Sequence, residues 1–281
     1  YPQRVRNDLR FRELTVLRVE RVSAGFQRVV LGGEALEGFS SRGFDDHTKV
    51  FFPAPGAVFV PPVVTDEGID WGDGVRPQTR DYTPLYDESR HELVLDFFIH
   101  DGGIASNWAV EAKAGDTLTI GGPRGSLVVP EDYAWQLYVC DESGMPALRR
   151  RLESLAKLPV RPEIHAVVTV GNDAYKDYLA HLSDVDITWV VGHSEQAVIL
   201  GAQQEAVTSH LEVATGLDTQ AVRSLLSIVV PFVLSFLKNN ITTESTPAKA
   251  LPVLLATQAP HVTDQLDAPA LAALGQHGRD D

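Results

Sequence analysis

The spacing of apolar residues changes near residue 132, and this change restricts the chain to a fold with more than one structural part. Before it, apolar and polar residues alternate, which is the period of strands buried on one face. The strand candidates here are residues 14–19, 27–31, 49–52 and 93–99. Residues 53–79 are rich in Pro, Gly and Asp, which predicts a long surface loop. We therefore expect an all-β domain over residues 1–131.

After the change, strand patterns alternate with helical ones. Apolar strands are predicted at residues 136–140, 164–170 and 187–191, and helical spacing occurs at 147–157 and 175–182. Strands that alternate with helices indicate parallel βαβ units. Three such strands make about half of a doubly wound nucleotide-binding sheet. Residues 132–199 are therefore expected to form a partial α/β domain.

The remainder of the chain, residues 200–281, changes pattern again. Helices are predicted at residues 202–214, 219–238, 248–259 and 268–274, and no strand pattern is convincing. The second half of a nucleotide-binding sheet is thus not visible, and we expect an α-helical C-terminal segment. Its apolar run, residues 225–237, contains Pro231 and is shorter than the roughly 20 residues that a bilayer span needs. A buried helix is the favoured interpretation.

The composition excludes some partners and favours one compartment. A net charge of −14 argues against general binding to nucleic acids or anionic membranes, because both require a basic surface. The single cysteine, Cys140, cannot form an internal disulfide, which fits a reducing cytosol. The expectation is a cytoplasmic protein. A local basic pocket remains compatible with this overall charge.

An arginine and a tyrosine two residues apart form the first candidate site. Arg80 and Tyr82 fall on the same face of a predicted strand, because side chains alternate along it. An arginine can bind phosphate oxygens through two N–H groups, a tyrosine can lie along a flat ring, and Thr83 can bond a polar ring edge. An ordinary strand with an exposed arginine and a packed tyrosine stays an open alternative.

The second candidate runs from a strand through two glycines into a short helix. Glycines such as Gly103 allow a ligand to approach the backbone closely, and free amides at a helix N-terminus bind phosphate. Ala105 and Ser106 would supply such amides, and Ser106 is also a candidate helix cap. His100 precedes the glycines. A capped surface helix after a turn, with a structural histidine, is the alternative, and no metal-ligand spacing occurs nearby.

Two later segments are also candidates. Arg124 follows a Gly-Pro corner, which is typical of barrel closure but could instead present the guanidinium to a ligand. Asp141, Glu142 and Ser143 follow a predicted parallel strand, where α/β sheets bind their ligands. The Gly-x-Ser-x-Gly pattern of hydrolases is missing around Ser143, and neither a Gly-x-Gly-x-x-Gly nor a Walker motif occurs in the chain.

Taken in order, these motifs resemble the siderophore-interacting flavoprotein family. The resemblance covers residues 1 to about 199 and is carried by RDYTPLYD, DFFIHDGGIASNWA, GDTLTIGGPRGSLVVP and YVCDESGMPALRRRLE. Each motif alone is weak, and together at this spacing they are specific. The resemblance implies an antiparallel flavin-binding barrel followed by a nucleotide-binding parallel sheet, as in ferredoxin reductases. It also implies a ferric-siderophore reductase that passes electrons from NADPH through FAD to Fe(III).

The family resemblance assigns a role to each candidate residue. It implies that FAD is held by Arg80, Tyr82, Thr83, His100, Gly103, Ala105 and Ser106. Asp141, Glu142 and Ser143 match an acidic strand-end motif that faces flavin and nicotinamide. Lys49 in HTKVFFP and Arg124 in GPRG match basic positions beside the substrate pocket. Local cations make physical sense, because ferric tris-catecholates are anionic and the chain as a whole is acidic.

The resemblance ends after about residue 199. Residues 205–275 instead resemble a YidB-like bacterial family of small helical proteins of unknown function, with no partner indicated by the sequence. The missing half of the nucleotide domain leaves one alternative function, a flavin- or siderophore-binding protein without efficient NADPH turnover. The apolar run 225–237 leaves another, a scaffold whose helical tail mediates association.

Overall fold

The computed structural model describes residues 1–73 and 76–192, which form fourteen strands and two α-helices. The strands are β1 (Gln3–Arg6), β2 (Phe11–Arg21), β3 (Phe26–Gly32), β4 (Thr48–Phe52), β5 (Val63–Thr65), β6 (Gly68–Asp70), β7 (Gln78–Tyr82), β8 (Leu85–Asp87), β9 (Glu92–Phe98), β10 (Thr117–Gly121), β11 (Gly125–Val128), β12 (Trp135–Cys140), β13 (Glu163–Val170) and β14 (Asp186–Val191). The helices are α1 (Ile104–Glu111) and α2 (Met145–Leu155). The predicted helices between residues 202 and 274 lie outside the described residues.

A curled antiparallel sheet forms the first half of the structure, as the alternation predicts. Its seven strands are ordered β7-β4-β10-β2-β3-β9-β8. The sheet curls strongly, because the edge strands β7 and β8 are joined by only two residues, and Tyr82 of β7 packs 4.3 Å from the ring of Phe97 on β9. Leu14, Leu31 and Leu93 fill the interior and are fully buried. In a separate two-stranded sheet, β1 pairs with β11, the strand that follows the Gly-Pro corner.

A parallel sheet of order β12-β13-β14 forms the second half, which confirms the predicted combination of a barrel with a parallel α/β unit. Helix α2 begins with Met145 and has Pro146 in its first turn, where the missing N–H costs no hydrogen bond. Residues 175–182 carry helical spacing, but the structure forms a 3₁₀ helix over Asp173–Leu179 instead. The Asn172 side chain accepts a hydrogen bond from the Ala174 N–H and begins this turn.

The expectation of an irregular loop at residues 53–79 is wrong in one respect. Within it, β5 and β6 form an antiparallel hairpin. The pattern concealed these strands because each is only three residues long, and the acidic residues of their turn dominate the composition. Phe59 and Trp71 flank the hairpin, and their rings pack 5.4 Å and 5.7 Å from the ring of Phe51 on β4. The segment is thus anchored to the outer face of the barrel.

Aromatic and arginine side chains join the two sheets. Tyr178, after β13, stacks on Phe26 of β3 with the ring centroids 4.0 Å apart. Arg150 on α2 reaches the barrel and donates hydrogen bonds to Ser41 Oγ, to the Ser41 carbonyl and to the Pro84 carbonyl at 2.9, 2.8 and 3.1 Å. In the part of the chain that the structure describes, no helix is both long and apolar enough to cross a membrane.

Candidate functional site

Strand β7 carries the Arg80–Tyr82 pair at the edge of the barrel. The guanidinium of Arg80 is exposed and donates to the Thr79 carbonyl at 2.8 Å. Among the described residues, no ion pair engages it. Burial raises the pKa of the Tyr82 phenol, and the charge of Arg80 partly opposes this shift. The two side chains therefore lie on one face of β7 and close enough to interact, with the charge of Arg80 available to a ligand.

The glycine loop and helix α1 form an anion-binding geometry. The first helical hydrogen bond runs from the Asn107 N–H to the Gly103 carbonyl, so the N–H groups of Ile104, Ala105 and Ser106 lie outside the helical ladder. Such groups carry the positive end of the helix dipole and bind phosphates. Gly102 has a φ of +77°, and a Cβ there would meet nothing within 4 Å, so the space before the helix is open.

Ser106 holds this loop but does not cap the helix. The residue at the cap position is Gly103, which makes no side-chain hydrogen bond. Ser106 is the third helical residue and 2% exposed, and its hydroxyl donates to the Phe98 carbonyl and accepts from the His100 N–H, both at 3.1 Å. The capping role predicted for Ser106 is therefore wrong, because its hydroxyl is already used to attach the loop to the end of β9.

The end of β9 brings these two groups together. The ring of Phe97 contacts Tyr82, and the carbonyl of the next residue, Phe98, binds Ser106. Arg80 and the free amides of α1 thus flank one region of the barrel. The ring of His100 lies against Gly103, where a Cβ would come within 2.5 Å of the imidazole. A cation, a flat aromatic side chain and free amides here fit a ligand with a planar ring and phosphates, as FAD has.

The acidic strand end lies where the parallel sheet faces the barrel. The Asp141 carboxylate accepts hydrogen bonds from Ser143 N–H at 2.9 Å and Ser143 Oγ at 2.5 Å. Glu142 accepts from the Gly171 N–H at 2.5 Å and so ties the ends of β12 and β13 together. Burial, followed by the charge of Asp141, raises the pKa of the Cys140 thiol well above its usual range.

Lys49, one of the two cations predicted to bind the substrate, lies on a different face of the sheet from the predicted flavin residues. Lys49 Nζ lies 2.9 Å from Asp81 Oδ1, and the side chains are 44% and 7% exposed. Lys49 is directly opposite Asp81 in the β4–β7 ladder, one position from the Val50–Arg80 pair. Because side chains alternate, Lys49 and Asp81 leave the sheet on the face opposite to Arg80. Lys49 and the predicted flavin residues Arg80 and Tyr82 thus lie on opposite faces of the β4–β7 pair.

Arg124 lies close to Lys49 in the fold. Gly121, three residues before Arg124, pairs with Lys49 across β10 and β4, and a cis Gly122–Pro123 bond follows it. The Arg124 side chain is exposed, and its carbonyl accepts a hydrogen bond from the Asn7 N–H at 3.0 Å. Lys49 and Arg124 therefore lie on, or directly after, two strands that pair with each other, β4 and β10.

Two residues that sequence reasoning missed lie beside the site. The Thr48 side chain is 0% exposed, and its hydroxyl has no partner among the described residues. Thr48 is opposite Tyr82 in the β4–β7 ladder. Arg150 holds the Pro84 carbonyl, next to Thr83. The one sequence signal for Arg150 is the run of three consecutive arginines in α2. Consecutive residues of an amphipathic helix point in different directions, so at least one of the three must face the protein.

The chain matches two family models and is similar to named proteins. The model of the siderophore-interacting FAD-binding domain matches residues 15–127, and that of the siderophore-interacting protein matches residues 133–230. The NADPH-dependent ferric-chelate reductase of Escherichia coli strain K12 is 73% identical over 198 residues, which cover 70% of this chain and 78% of that protein. The ferric vibriobactin reductase ViuB of Vibrio cholerae is 31% identical over 66% of this chain and 68% of its own length.

A solved structure has the same fold. The crystal structure of a siderophore utilization protein from T. fusca superposes with a TM-score of 0.63 and 30% identity, over 73% of this chain and 79% of that one. Its coverage includes more of the chain than the barrel alone. Together with the two family models and the 73% identical relative, it shows that this chain belongs to the siderophore-interacting FAD-binding protein family.

Proposed function

We propose that this chain is a flavin-dependent ferric-siderophore reductase that passes electrons from NADPH through FAD to Fe(III) and releases Fe(II). The observation that carries the proposal is the common location of Arg80, Tyr82 and the free amides of α1 at one end of β9. The relative with 73% identity is named for this activity. When bound, FAD takes a hydride from a nicotinamide and passes single electrons to Fe(III).

For the FAD site, we propose that different residues near the end of β9 bind different parts of the cofactor. Arg80 and the N–H groups of Ala105 and Ser106 bind the pyrophosphate, because a planar cation and helix N-terminal amides both suit phosphate oxygens. Tyr82 lies along the flat ring, and Thr83 bonds its polar edge. His100 and Gly103 shape the loop around the ligand, since the imidazole occupies the space that a side chain at Gly103 would need.

For the nicotinamide, we propose the strand ends that carry Asp141, Glu142 and Ser143. These residues follow the carboxyl end of the parallel strand β12, and α/β sheets bind nucleotides at such strand ends. The Glu142 contact with Gly171 fixes two strand ends relative to each other. This division corresponds to an FAD-binding barrel over residues 1–131, a partial nucleotide-binding domain over 132–199 and a C-terminal segment over 200–281.

For the ferric chelate, we propose that Lys49 and Arg124 provide the local positive charge. Each contact with an anionic chelate is worth about 1 kcal/mol in water and roughly 4 kcal/mol at an effective dielectric constant near 20. Two such contacts can outweigh the repulsion from a chain of net charge −14. We also infer that the reaction takes place in the cytoplasm, where reduced nicotinamide nucleotides are available as electron donors.

A spectroscopic experiment tests the proposal. The purified chain should be yellow, with the absorbance bands of bound FAD, and NADPH should bleach them rapidly under anaerobic conditions. Adding a ferric tris-catecholate should restore the flavin colour and release Fe(II), which a ferrous chelator captures. A colourless protein that does not retain FAD would contradict the proposal. Bound FAD that NADPH does not bleach would instead favour a carrier.

A further inference from the structure

A buried carboxylate, Asp96, is shared between the barrel and the parallel α/β unit. Its side chain is 0% exposed. Arg28 on β3 donates to both oxygens of Asp96, from Nε to Oδ1 at 2.8 Å and from Nη2 to Oδ2 at 2.9 Å. Tyr178, which belongs to the other unit, donates its hydroxyl to Oδ2 at 2.5 Å. The carboxylate thus has one partner inside the barrel and one across the junction.

Several contacts hold the Tyr178 side chain in place. Its ring stacks on Phe26 with an interplanar angle of 22°, and the guanidinium of Arg149 lies 4.8 Å from the ring centroid. Arg149 also donates to the Tyr178 carbonyl at 3.1 Å. Burial raises the pKa of the Tyr178 hydroxyl well above its usual range, and the charge of Asp96 raises it further. The hydroxyl therefore stays protonated and donates to Asp96.

This pair lies between the two halves of the proposed site. Asp96 is on β9 and precedes His100 by four residues, so it is close in the chain to the loop proposed to hold FAD. Tyr178 is on the 3₁₀ helix that follows Gly171, the residue that binds Glu142 at the nucleotide strand ends. Tyr175 of the same helix packs 5.2 Å from the ring of Phe98. Any shift at this junction changes the spacing between the two half-sites.

We propose that the hydrogen bond from Tyr178 to Asp96 sets the distance between nicotinamide and flavin, and that Tyr178 and Asp96 are positioning residues for hydride transfer. The inference rests on the proposed function, because it concerns electron transfer from NADPH to FAD. Hydride transfer requires reacting atoms about 3–3.5 Å apart, and a misplacement of about 1 Å can cost roughly 100-fold in rate. Electron transfer from flavin to the ferric chelate does not involve the nicotinamide, so we expect its rate to be independent of this spacing.

The test is Tyr178→Phe, which removes the hydroxyl and keeps the ring on Phe26. Stopped-flow absorbance at saturating NADPH should show flavin reduction slowed by about 10-fold to 100-fold, the range expected for a misplacement of up to ~1 Å. Reoxidation of the dithionite-reduced flavin by ferric citrate should keep the wild-type rate. Hydrogen exchange of the FAD-free chain should rise in peptides covering Asp173–Leu179 but not in the barrel core.

The matched control is Tyr138→Phe. Tyr138 is also buried, and its hydroxyl donates to Gln136 at 2.5 Å and accepts from Arg151 at 2.9 Å. This variant loses a comparable buried hydroxyl without touching Asp96. It should keep the wild-type rate of flavin reduction by NADPH. If it slows this step as much as Tyr178→Phe does, general destabilisation explains both and the inference is wrong.

A second variant covers the case in which Tyr178→Phe loses FAD or fails to fold. Asp177 is exposed and accepts a hydrogen bond from the Ala24 N–H at 2.9 Å, across the same junction. Asp177→Ala should slow flavin reduction in the same direction and by a smaller factor. The inference is wrong if these variants reduce their flavin at the wild-type rate. It is also wrong if flavin reduction by NADPH and flavin reoxidation by ferric citrate slow equally. A wild-type chain whose FAD is not reduced by NADPH would contradict the proposed function instead.

Discussion

At the scale of single residues, the ion pair between Lys49 and Asp81 changes what Lys49 can offer a ligand. The two side chains leave the β4–β7 pair on the same face, and Asp81 is nearly buried while Lys49 is partly exposed. The carboxylate therefore cancels part of the positive charge that an anionic chelate would meet. A residue inside the RDYTPLYD motif thus acts on the opposite face from Arg80 and Tyr82.

Replacing Asp81 by asparagine is expected to strengthen binding of an anionic chelate. The amide oxygen of Asp81→Asn can still accept a hydrogen bond from Lys49, so the ammonium keeps its place and loses only the opposing charge. The KM for a ferric tris-catecholate should fall about fivefold, equivalent to ~1 kcal/mol for one charge contact in water. Steady-state kinetics at two ionic strengths measures this, with a steeper salt dependence in the variant.

Lys49→Met is the control for this prediction, because it removes the cation and should raise the same KM. Both variants should retain the wild-type flavin absorbance, since neither side chain faces the proposed FAD site. A higher KM in Asp81→Asn would show that the carboxylate serves to hold Lys49 in place, which contradicts the charge argument.

Thr48 permits a prediction about stability. Its buried hydroxyl has no partner among the described residues, and a buried polar group without a partner costs about 1–3 kcal/mol. Thr48→Val keeps the shape of the side chain and removes the hydroxyl. The free energy of unfolding of the FAD-free chain should therefore rise by ~1 kcal/mol or more in urea denaturation. A lower free energy of unfolding would show that the hydroxyl is hydrogen-bonded in solution.

At the scale of elements, the loop between β9 and α1 leaves its backbone accessible to a ligand and is held in place by a hydrogen bond to β9. Ser106 attaches it to the Phe98 carbonyl, and the His100 ring fills the space beside Gly103. The sequence predicts the strand, the glycines and the helix at this position. It does not show that the serine hydroxyl turns back to the strand, because residues eight apart in the chain meet only once the turn has formed.

Gly103→Ala tests the role of the His100 ring. The backbone φ of −81° suits alanine, but the new Cβ would lie 2.5 Å from the imidazole, so the ring must move. FAD affinity should fall about tenfold, as for the loss of one charge-assisted hydrogen bond of ~1.5 kcal/mol. Fluorescence titration of the FAD-free chain measures it. In a His100→Ala background the same change should cost nothing further, because the clash is gone.

At the scale of the whole molecule, arginines of α2 connect the two halves. Arg150 binds Ser41 and the Pro84 carbonyl in the barrel, while Arg151 binds Val129 and Pro130 carbonyls and Tyr138. Burial lowers the pKa of Arg150, and the charge of Asp46 partly opposes this shift. Both guanidinium groups thus donate hydrogen bonds to backbone carbonyls at the junction.

Arg150→Met should destabilise the protein, because the Ser41 and Pro84 carbonyls lose a charged donor. The expected loss in the free energy of unfolding is about 1.5–3 kcal/mol, the usual range for a hydrogen bond to a charged group. Urea denaturation monitored by tryptophan fluorescence measures it. Arg161→Met is the matched control, because Arg161 pairs with Asp184 at the surface and such pairs contribute about 0–1 kcal/mol. Equal losses in both variants would contradict the role of Arg150.

Local patterns were enough to predict the type of secondary structure in each part of the chain, and the motifs predicted the order of the site residues along it. Alternating apolar residues specify half-buried strands, and strands separated by helical spacing specify parallel pairing, because both patterns depend on local periodicity. The antiparallel barrel was predicted from the family resemblance. The bounds of α2 and of the 3₁₀ turn were less predictable, since the ends of such elements depend on caps such as Asn172 and on packing.

Which side chains come into contact follows from the packing of the folded chain. The ladder between β4 and β7 places Lys49 against Asp81 and away from Arg80, and a shift of one residue would have reversed those faces. Asp96 and Tyr178 are 82 residues apart in the chain and become partners only when the two sheets pack together. Strand register and sheet packing are long-range properties that no local pattern encodes, which is why these contacts appear only in the folded molecule.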